Sequence, residues 1–381
     1  MFKDGYTERI EDSLFQIYIE DDDYSDLIEY LNSEESFNSF GEGILRLVKI
    51  KYPNVEIDTL LSKIKELCKE NDVPFSDIGS LNTVKGWINK GVRPKKADLT
   101  RDSLYALAFA LELSVEETEL LFNKVYLDRS FDCRNFKEVI YYYCIKKCMK
   151  WEKAKSLIES VQFKNDVENE DTVFTCVIKN GLSTVEDDVD LLEYISSYQH
   201  NLSLKNKAAY CFLDELLKKA NEKAQQEAEK WWEDVDGSSR FKGQNKESNN
   251  FTYEVITSFK VNGEKGTITL FKNARLPKEI RNRFPEAGTL SKKNMTYEEI
   301  RKLIILLFSY IFWSNAQEKK VKDVFEEYEE ALNKYLFDSG LPNLYAGNPY
   351  DWLFLYCAME ERPLDAFRNI LSEVLEGENV S

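Results

Sequence analysis

The chain of 381 residues is long enough for two or three domains, and its 43% apolar and 13% aromatic content favours packed cores over disorder. Its formal net charge of −17 excludes binding to a polyanion unless positive charge is concentrated locally. Charge interrupts every apolar run before about 18 residues, so no membrane-spanning helix is expected. No signal peptide is evident at the N-terminus, and seven scattered cysteines suit a reducing compartment. We therefore expect a cytoplasmic protein that does not enter a membrane.

Residues 1–56 are predicted to form an acidic helical segment. Residues 1–40 carry a net charge of −10, and a thin apolar stripe among the charges still allows helices. The charge has two interpretations. It is either a solvated surface, or an acidic docking face or autoinhibitory cover for the basic helix later in the chain.

Residues 81–101 reverse the charge of the chain, with a local net charge of +5. Apolar residues at helical spacing predict an amphipathic helix over 57–70, followed by a short second helix. A third helix is predicted to be capped by Asn82 or Thr83 and to run to Asn89. A short basic helix between packing helices is the arrangement in which a helix-turn-helix presents itself to DNA.

The third helix has an apolar face and a polar face. The apolar face consists of Val84, Trp87 and Ile88. The polar face consists of Thr83, Lys85, Gly86, Asn89 and Lys90. We expect the first face to anchor the helix and the second to meet a partner.

Two further helices follow the basic run. Thr100 is predicted to cap a helix whose apolar positions point inward. Ser114 and Glu117 have the spacing of a capping box and predict the start of another helix. Residues 57–162 are therefore predicted to form one helical domain.

Residues 63–122 resemble the λ-repressor-like (XRE-type) helix-turn-helix family. The matching stretches are KIKEL at 63–67, TVKGWI at 83–88 and LYALAFALELSVEE at 104–117. Residues 74–80 depart from the family because they are shorter and more irregular than its second helix and turn. Some versions of this fold bind proteins instead of DNA, which keeps a second function open.

The resemblance implies a DNA interface and a two-fold dimer. The side chains expected in the major groove are Thr83, Lys85, Asn89 and Lys90. Those expected at phosphates are Arg93, Lys95, Lys96 and Arg101. The wider chain, with YYYC at 141–144 and GNPYDWLFL at 347–355, is also similar to uncharacterised multi-domain proteins of Gram-positive bacteria and their mobile elements.

Residues 163–236 are predicted to form a further helical domain. Cys144 and Cys148, which precede it, lie one helical turn apart, but no second cysteine or histidine pair follows at a zinc-finger distance. His200 is the single histidine of the chain. We therefore expect neither a metal site nor a histidine-based catalytic triad.

Residues 237–250 are rich in glycine, serine and asparagine and predict a flexible linker or loop. A C-terminal domain over 251–381 is predicted to contain a β-hairpin at 252–271 and further helices. One of those helices is expected to begin with Asn348 as its cap. The predicted fold is mainly α with this one small hairpin.

The sequence contains no phosphate-binding glycine loop and no nucleophile or metalloprotease motif. We therefore expect no enzyme and no cofactor. The leading hypothesis is a DNA-binding regulatory protein whose C-terminal helices serve oligomerisation or partner binding. The alternative is a protein-binding adaptor or inhibitor whose acidic surface binds a basic, nucleic-acid-binding protein. Such a protein would be encoded by a mobile element or would act in the conflict between a phage and its host.

The basic loop gives a first prediction. The double substitution Lys95→Ala and Lys96→Ala should weaken duplex binding on all sequences alike. It should also reduce the slope of log affinity against log salt by about 2, because each phosphate contact releases about one counterion. A salt titration of duplex binding measures this slope. Unchanged affinity in the double variant would remove these lysines from the interface.

Overall fold

A computed structural model shows a mainly helical protein. It describes Leu27, Phe37 and residues 39–89, 100–133, 135–162, 181–182, 184–198, 207–234, 249–257, 259–261, 267–269, 284–285, 287–292, 295–319 and 324–376. The predicted linker at 237–250 lies outside these residues except for its last two. Most of the predicted acidic segment also lies outside them.

The chain divides into two compact units. The first unit is Asn38–Lys207, and the second joins Met1–Phe37 to Ala208–Ser381. These boundaries differ from the predicted ones at 56/57, 162/163 and 236/237. The reason is that side chains on both sides of 56/57 and of 162/163 share the hydrophobic core of the first unit.

The first unit is a cluster of short helices. Its described helices are α1 (Phe40–Lys51), α2 (Ile57–Glu70), α3 (Phe75–Ile78), α4 (Leu81–Asn89), α5 (Arg101–Ala110), α6 (Val115–Leu120), α7 (Phe136–Lys146), α8 (Trp151–Ser160) and α9 (Asp188–Ser197). A π-helical turn, Leu121–Tyr126, continues α6. The helices predicted from periodicity over 57–70 and after Thr100 and Ser114 are all present.

Two predicted helix starts are confirmed by their hydrogen bonds. The Thr100 side chain accepts a bond from the backbone N–H of Ser103 at 3.2 Å. Ser114 and Glu117 form a complete capping box at the start of α6. Each bond satisfies an N–H group that the first turn of a helix leaves without an intrahelical acceptor.

Among the described residues, three α-helices of the first unit are followed by a residue other than glycine in the left-handed region, as is the π-helical turn, which Leu127 ends. The residues after the three α-helices are Asp72 after α2, Glu112 after α5 and Cys148 after α7, with φ between 50° and 56°. After each, the next backbone N–H donates to a carbonyl five residues earlier in the chain. This is the Schellman motif, which satisfies the carbonyl groups of the last helical turn.

The second unit is also built from helices, with one small sheet. Its described helices are α10 (Lys207–Asp234), α11 (Asn249–Thr257), α12 (Tyr297–Lys319), α13 (Phe325–Asp338), α14 (Pro349–Met359) and α15 (Pro363–Glu376). Strands β1 (Phe259–Val261) and β2 (Thr267–Thr269) pair antiparallel, with Lys260 opposite Ile268. Asn348 caps α14 as predicted, and its side chain accepts from the N–H of Tyr350 at 3.1 Å.

The first predicted strand, 252–259, is wrong over most of its length because Asn249–Thr257 is a helix, α11. Every residue of 251–257 except Glu254 is buried. A helix buried on nearly all sides shows no apolar stripe. Its β-branched and aromatic residues therefore resembled a strand in the sequence.

Two glycines of the first unit test the packing of α1 against α4. A Cβ on Gly41 of α1 would lie 2.8 Å from the Ile88 Cα and 2.9 Å from the Ile88 carbonyl oxygen, whereas a Cβ on Gly86 of α4 would meet no atom of the described residues within 4 Å. Gly41→Ala should therefore destabilise the first unit by about 1–3 kcal/mol. Gly86→Ala should stabilise it by about 0.5–1 kcal/mol, because alanine favours a helix over glycine.

Urea unfolding of the two variants measures these changes. The same substitution in two helices of one unit makes each variant the control for the other. Effects of the same sign would contradict the close contact between α1 and α4.

Candidate functional site

Helix α4 contains the residues that the sequence predicts to form a recognition helix, and Ser80 caps it. The Ser80 Oγ accepts from the Thr83 N–H at 3.2 Å, and the Ser80 carbonyl accepts from the Val84 N–H at 3.0 Å. The helix begins at Leu81. The prediction that Asn82 or Thr83 is the cap is therefore wrong, because a serine hydroxyl just upstream reaches the free N–H groups first.

The apolar face of α4 points into the core, as predicted. Val84, Trp87 and Ile88 are buried. The Trp87 ring packs edge-on against Phe40 of α1, with ring centres 5.7 Å apart. Helix α4 also contacts α2, so neighbouring helices hold it on its apolar side.

The opposite face of α4 is open. Leu81 is 47% exposed, and Asn82 and Lys85 are also exposed. Gly86 lies beside Lys85 and has open space where a side chain would stand. This face therefore presents one leucine, one amide, one cation and the exposed backbone at Gly86.

The residues predicted to enter the major groove differ in how exposed they are. Lys85 is exposed, whereas Thr83 is half-buried and its hydroxyl shares a 2.7 Å hydrogen bond with the Ser80 hydroxyl. Asn89 is the last residue of α4. The remaining predicted contacts, Lys90, Arg93, Lys95 and Lys96, lie outside the described residues.

Helix α3, which precedes α4, is a single turn. Its Asp77 carboxylate accepts from the Trp151 indole N–H at 2.8 Å and lies 3.6 Å from the Lys155 ammonium. These contacts attach α3 to α8. The shortness of α3 was visible in the sequence, but its attachment to a helix more than 70 residues later was not.

Arg101, a predicted phosphate contact, is bound inside the fold. Its guanidinium donates to both carboxylate oxygens of Glu138 at 2.6 and 2.8 Å, to the Asp128 carboxylate at 3.2 Å, and to the carbonyls of Arg129 and Ser130 at 3.1 and 3.5 Å. A guanidinium has five N–H donors, and these bonds use all of them. The prediction for Arg101 is therefore wrong, since no donor remains for a phosphate.

Glu138 is the buried partner of this arginine, and its carboxylate is 1% exposed. The Tyr105 hydroxyl and the Asp132 N–H also donate to it, at 2.7 and 2.8 Å. Burial opposes the charged form, but the hydrogen bonds and charge of Arg101 outweigh it and hold the pKa of Glu138 below its ordinary value. Burial, together with the Glu138 charge, raises the pKa of Tyr105 well above its ordinary value.

No sequence signal pointed to this cluster. Arg101 and Glu138 are 37 residues apart and belong to different helices. In sequence, Arg101 looked like the last cation of a basic run. Only the fold brings a carboxylate to it.

Within the described ranges, no helix is long and apolar enough to cross a membrane. The same residues include no group of three or more histidine, cysteine or acidic side chains placed to hold a metal ion. Comparisons of the chain with protein-family models, with curated proteins and with solved structures found no match.

The Arg101 cluster predicts a pH-dependent loss of stability. Arg101→Met should destabilise the first unit by about 3–5 kcal/mol at neutral pH, because it leaves the Glu138 carboxylate buried without its cation. In the wild type the pKa of Glu138 is lowered, so its contribution is present above the unfolded pKa of about 4.3 and is lost as pH falls further. In the variant the same pKa should rise, so acid should relieve part of the defect.

Denaturant unfolding of both proteins between neutral and acidic pH measures this difference. The gap in unfolding free energy should shrink as pH falls through the titration of Glu138. A gap that is constant with pH would mean that Arg101 acts through packing alone.

Proposed function

We propose that the first unit binds duplex DNA through the open face of α4, as a regulatory protein of the helix-turn-helix class. The support is a short α3, a turn, and an α4 whose apolar side is anchored and whose polar side is open. The major groove is about 12 Å wide and admits one α-helix. Two-fold pairing of copies of this chain on a two-fold-symmetric site is part of the proposal.

Gly86 is the observation that carries this proposal. Glycine within a helix costs about 1 kcal/mol relative to alanine, and no atom of the described residues lies within 4 Å of where its Cβ would stand. The packing of the described residues therefore gives no reason for glycine at this position. Its use is explained by a partner that approaches the α4 backbone closely, as the floor of a groove does.

The exposed side chains around Gly86 suit DNA. Asn82 can pair with an adenine edge, and Lys85 can donate to guanine or to a phosphate. Lys90, Arg93, Lys95 and Lys96 continue the same basic run and remain proposed contacts, together with Thr83 and Asn89. Arg101 is left out because its donors are used inside the fold.

A second candidate function is a protein-binding adaptor or inhibitor. It is favoured by Leu81, which is 47% exposed on the same face of α4. An exposed leucine fits an apolar pocket of a protein better than a phosphate backbone. With a net charge of −17, the chain would complement a basic, nucleic-acid-binding partner.

Substitution of Gly86 tests the DNA proposal. Gly86→Glu should weaken binding to a pool of short random-sequence duplexes by about tenfold or more relative to Gly86→Gln, because like charges at contact distance repel by about 1–4 kcal/mol. The two side chains have nearly the same size, so glutamine controls for bulk. Both variants should fold, since the position is open.

Lys85→Ala should reduce the salt slope of the same binding reaction by about 1. Fluorescence anisotropy over a salt series measures both quantities. If the wild-type chain retains no duplex at low salt, DNA binding is rejected. Recovery of a basic protein by the wild type and its loss with Leu81→Asp would then support the adaptor.

A further inference from the structure

A second basic surface lies in the turn between α7 and α8. The turn, residues 147–150, is fixed by a Schellman motif in which the Met149 N–H donates to the Cys144 carbonyl at 2.8 Å. Cys148 takes the left-handed conformation with φ 52°, and Met149 packs against the core. The turn therefore holds the lysines beside it in a defined place.

The charge of this turn is positive and partly unbalanced. Residues 139–151 contain no acidic side chain but include Lys146, Lys147 and Lys150, all of which are exposed. Lys150 forms an ion pair with Asp72. Among the described residues, Lys146 and Lys147 have no carboxylate within ion-pair distance.

The next lysines along α8 are neutralised. Lys153 pairs with Asp188 at 2.6 Å. Lys155 pairs with Glu152 at 3.1 Å and lies near Asp77. Among the described residues of this turn and of α8, the positive charge without an ion-pair partner therefore lies at Lys146 and Lys147, while Lys150 is paired with Asp72.

The fold places this turn against the start of the helix-turn-helix segment. Lys150 binds Asp72 in the turn that leads to α3, and the Trp151 indole binds Asp77 within α3. In helix-turn-helix complexes the helix before the recognition helix crosses the DNA backbone. Here that helix is one turn long and carries no cation, so phosphate contacts beside it must come from a neighbour.

We propose that Lys146 and Lys147, supported by Lys150, form a second phosphate-binding surface that contacts the DNA backbone beside α3. This surface would fix the register of α4 on the duplex and would carry no sequence preference. The inference rests on the proposed DNA binding of α4 and assigns it a contact outside the segment that resembles a helix-turn-helix.

The test uses the full chain with Lys146→Ala and Lys147→Ala. The matched control is Lys218→Ala with Lys334→Ala, which removes the same charge from exposed lysines of the second unit. The variant with Lys146→Ala and Lys147→Ala should bind every duplex in a random-sequence pool about tenfold more weakly than the wild type. It should also lower the slope of log affinity against log salt by about 2. The control should leave both quantities unchanged.

Lysines in the last turn of a helix interact with its dipole, so thermal unfolding of each variant is measured alongside binding. Lys146→Arg with Lys147→Arg should restore the affinity and the slope, since arginine also binds phosphate. A slope that stays at the wild-type value in the alanine variant overturns the second surface.

The two proposals fail in different ways. If Gly86→Glu weakens binding but the lysine variant does not, only the second surface is lost. If the alanine variant and its control lose affinity equally, the effect is one of overall charge, and the second surface is again rejected. If the wild-type chain binds no duplex, both proposals are rejected together.

Discussion

The buried pair between Arg101 and Glu138 is the contact on which the arrangement of the first unit depends. It joins α5 to α7 and draws the intervening loop around one guanidinium. Helix α7 leads through a fixed turn to α8, whose Trp151 holds Asp77 of α3. Because α3 leads directly into α4, the position of the open helix depends on a charge pair between two other helices, α5 and α7.

Such a pair is more important for geometry than for net stability. Removing two charges from water costs several kcal/mol per ion, and the attraction between them often does little more than offset that cost. The two parallel bonds from an arginine fork to a carboxylate, however, fix both distance and orientation. A pair of this kind therefore determines which helices meet and at which register.

The described part of the second unit contains two more pairs in which an arginine binds both oxygens of a carboxylate. Arg301 donates to both oxygens of Asp351 at 2.8 and 2.6 Å, and Arg368 donates to both oxygens of Glu227 at 2.6 and 3.1 Å. Each pair joins helices that are far apart in sequence. A strongly acidic chain therefore uses some of its carboxylates as internal partners for arginine, and these carboxylates do not contribute to the anionic surface.

The distribution of partners also decides which cations remain for function. In sequence, Arg101 belonged to a basic run, while Lys146 and Lys147 looked like ordinary charges at a helix end. In the fold, Arg101 is fully engaged, and the two lysines stand exposed next to Lys150 and Trp151, which bind Asp72 and Asp77. Local net charge along the sequence is thus a poor guide to the positive surface, because carboxylates from other helices neutralise it selectively.

The sequence by itself determined the helices and their buried faces wherever the information was local. Apolar spacing identified the inward face of α4 at Val84 and Trp87, and side-chain caps identified the starts of α5, α6 and α14. These features depend on residues within about one turn of each other, so a linear pattern contains them. A strand was wrongly predicted over α11 because the burial of nearly every residue of 251–257 removes the periodic pattern.

Only the tertiary structure decided the partner of Arg101, the attachment of α3 to α8, the open space at Gly86 and the division of the chain into two units. Each of these depends on groups that are tens of residues apart in sequence and meet only when the helices pack. No local spacing encodes such long-range contacts, because an acidic residue looks the same in the sequence whether its carboxylate faces water or an arginine. The candidate interface is therefore defined by the contacts that its residues make within the fold, and equally by those that they do not make.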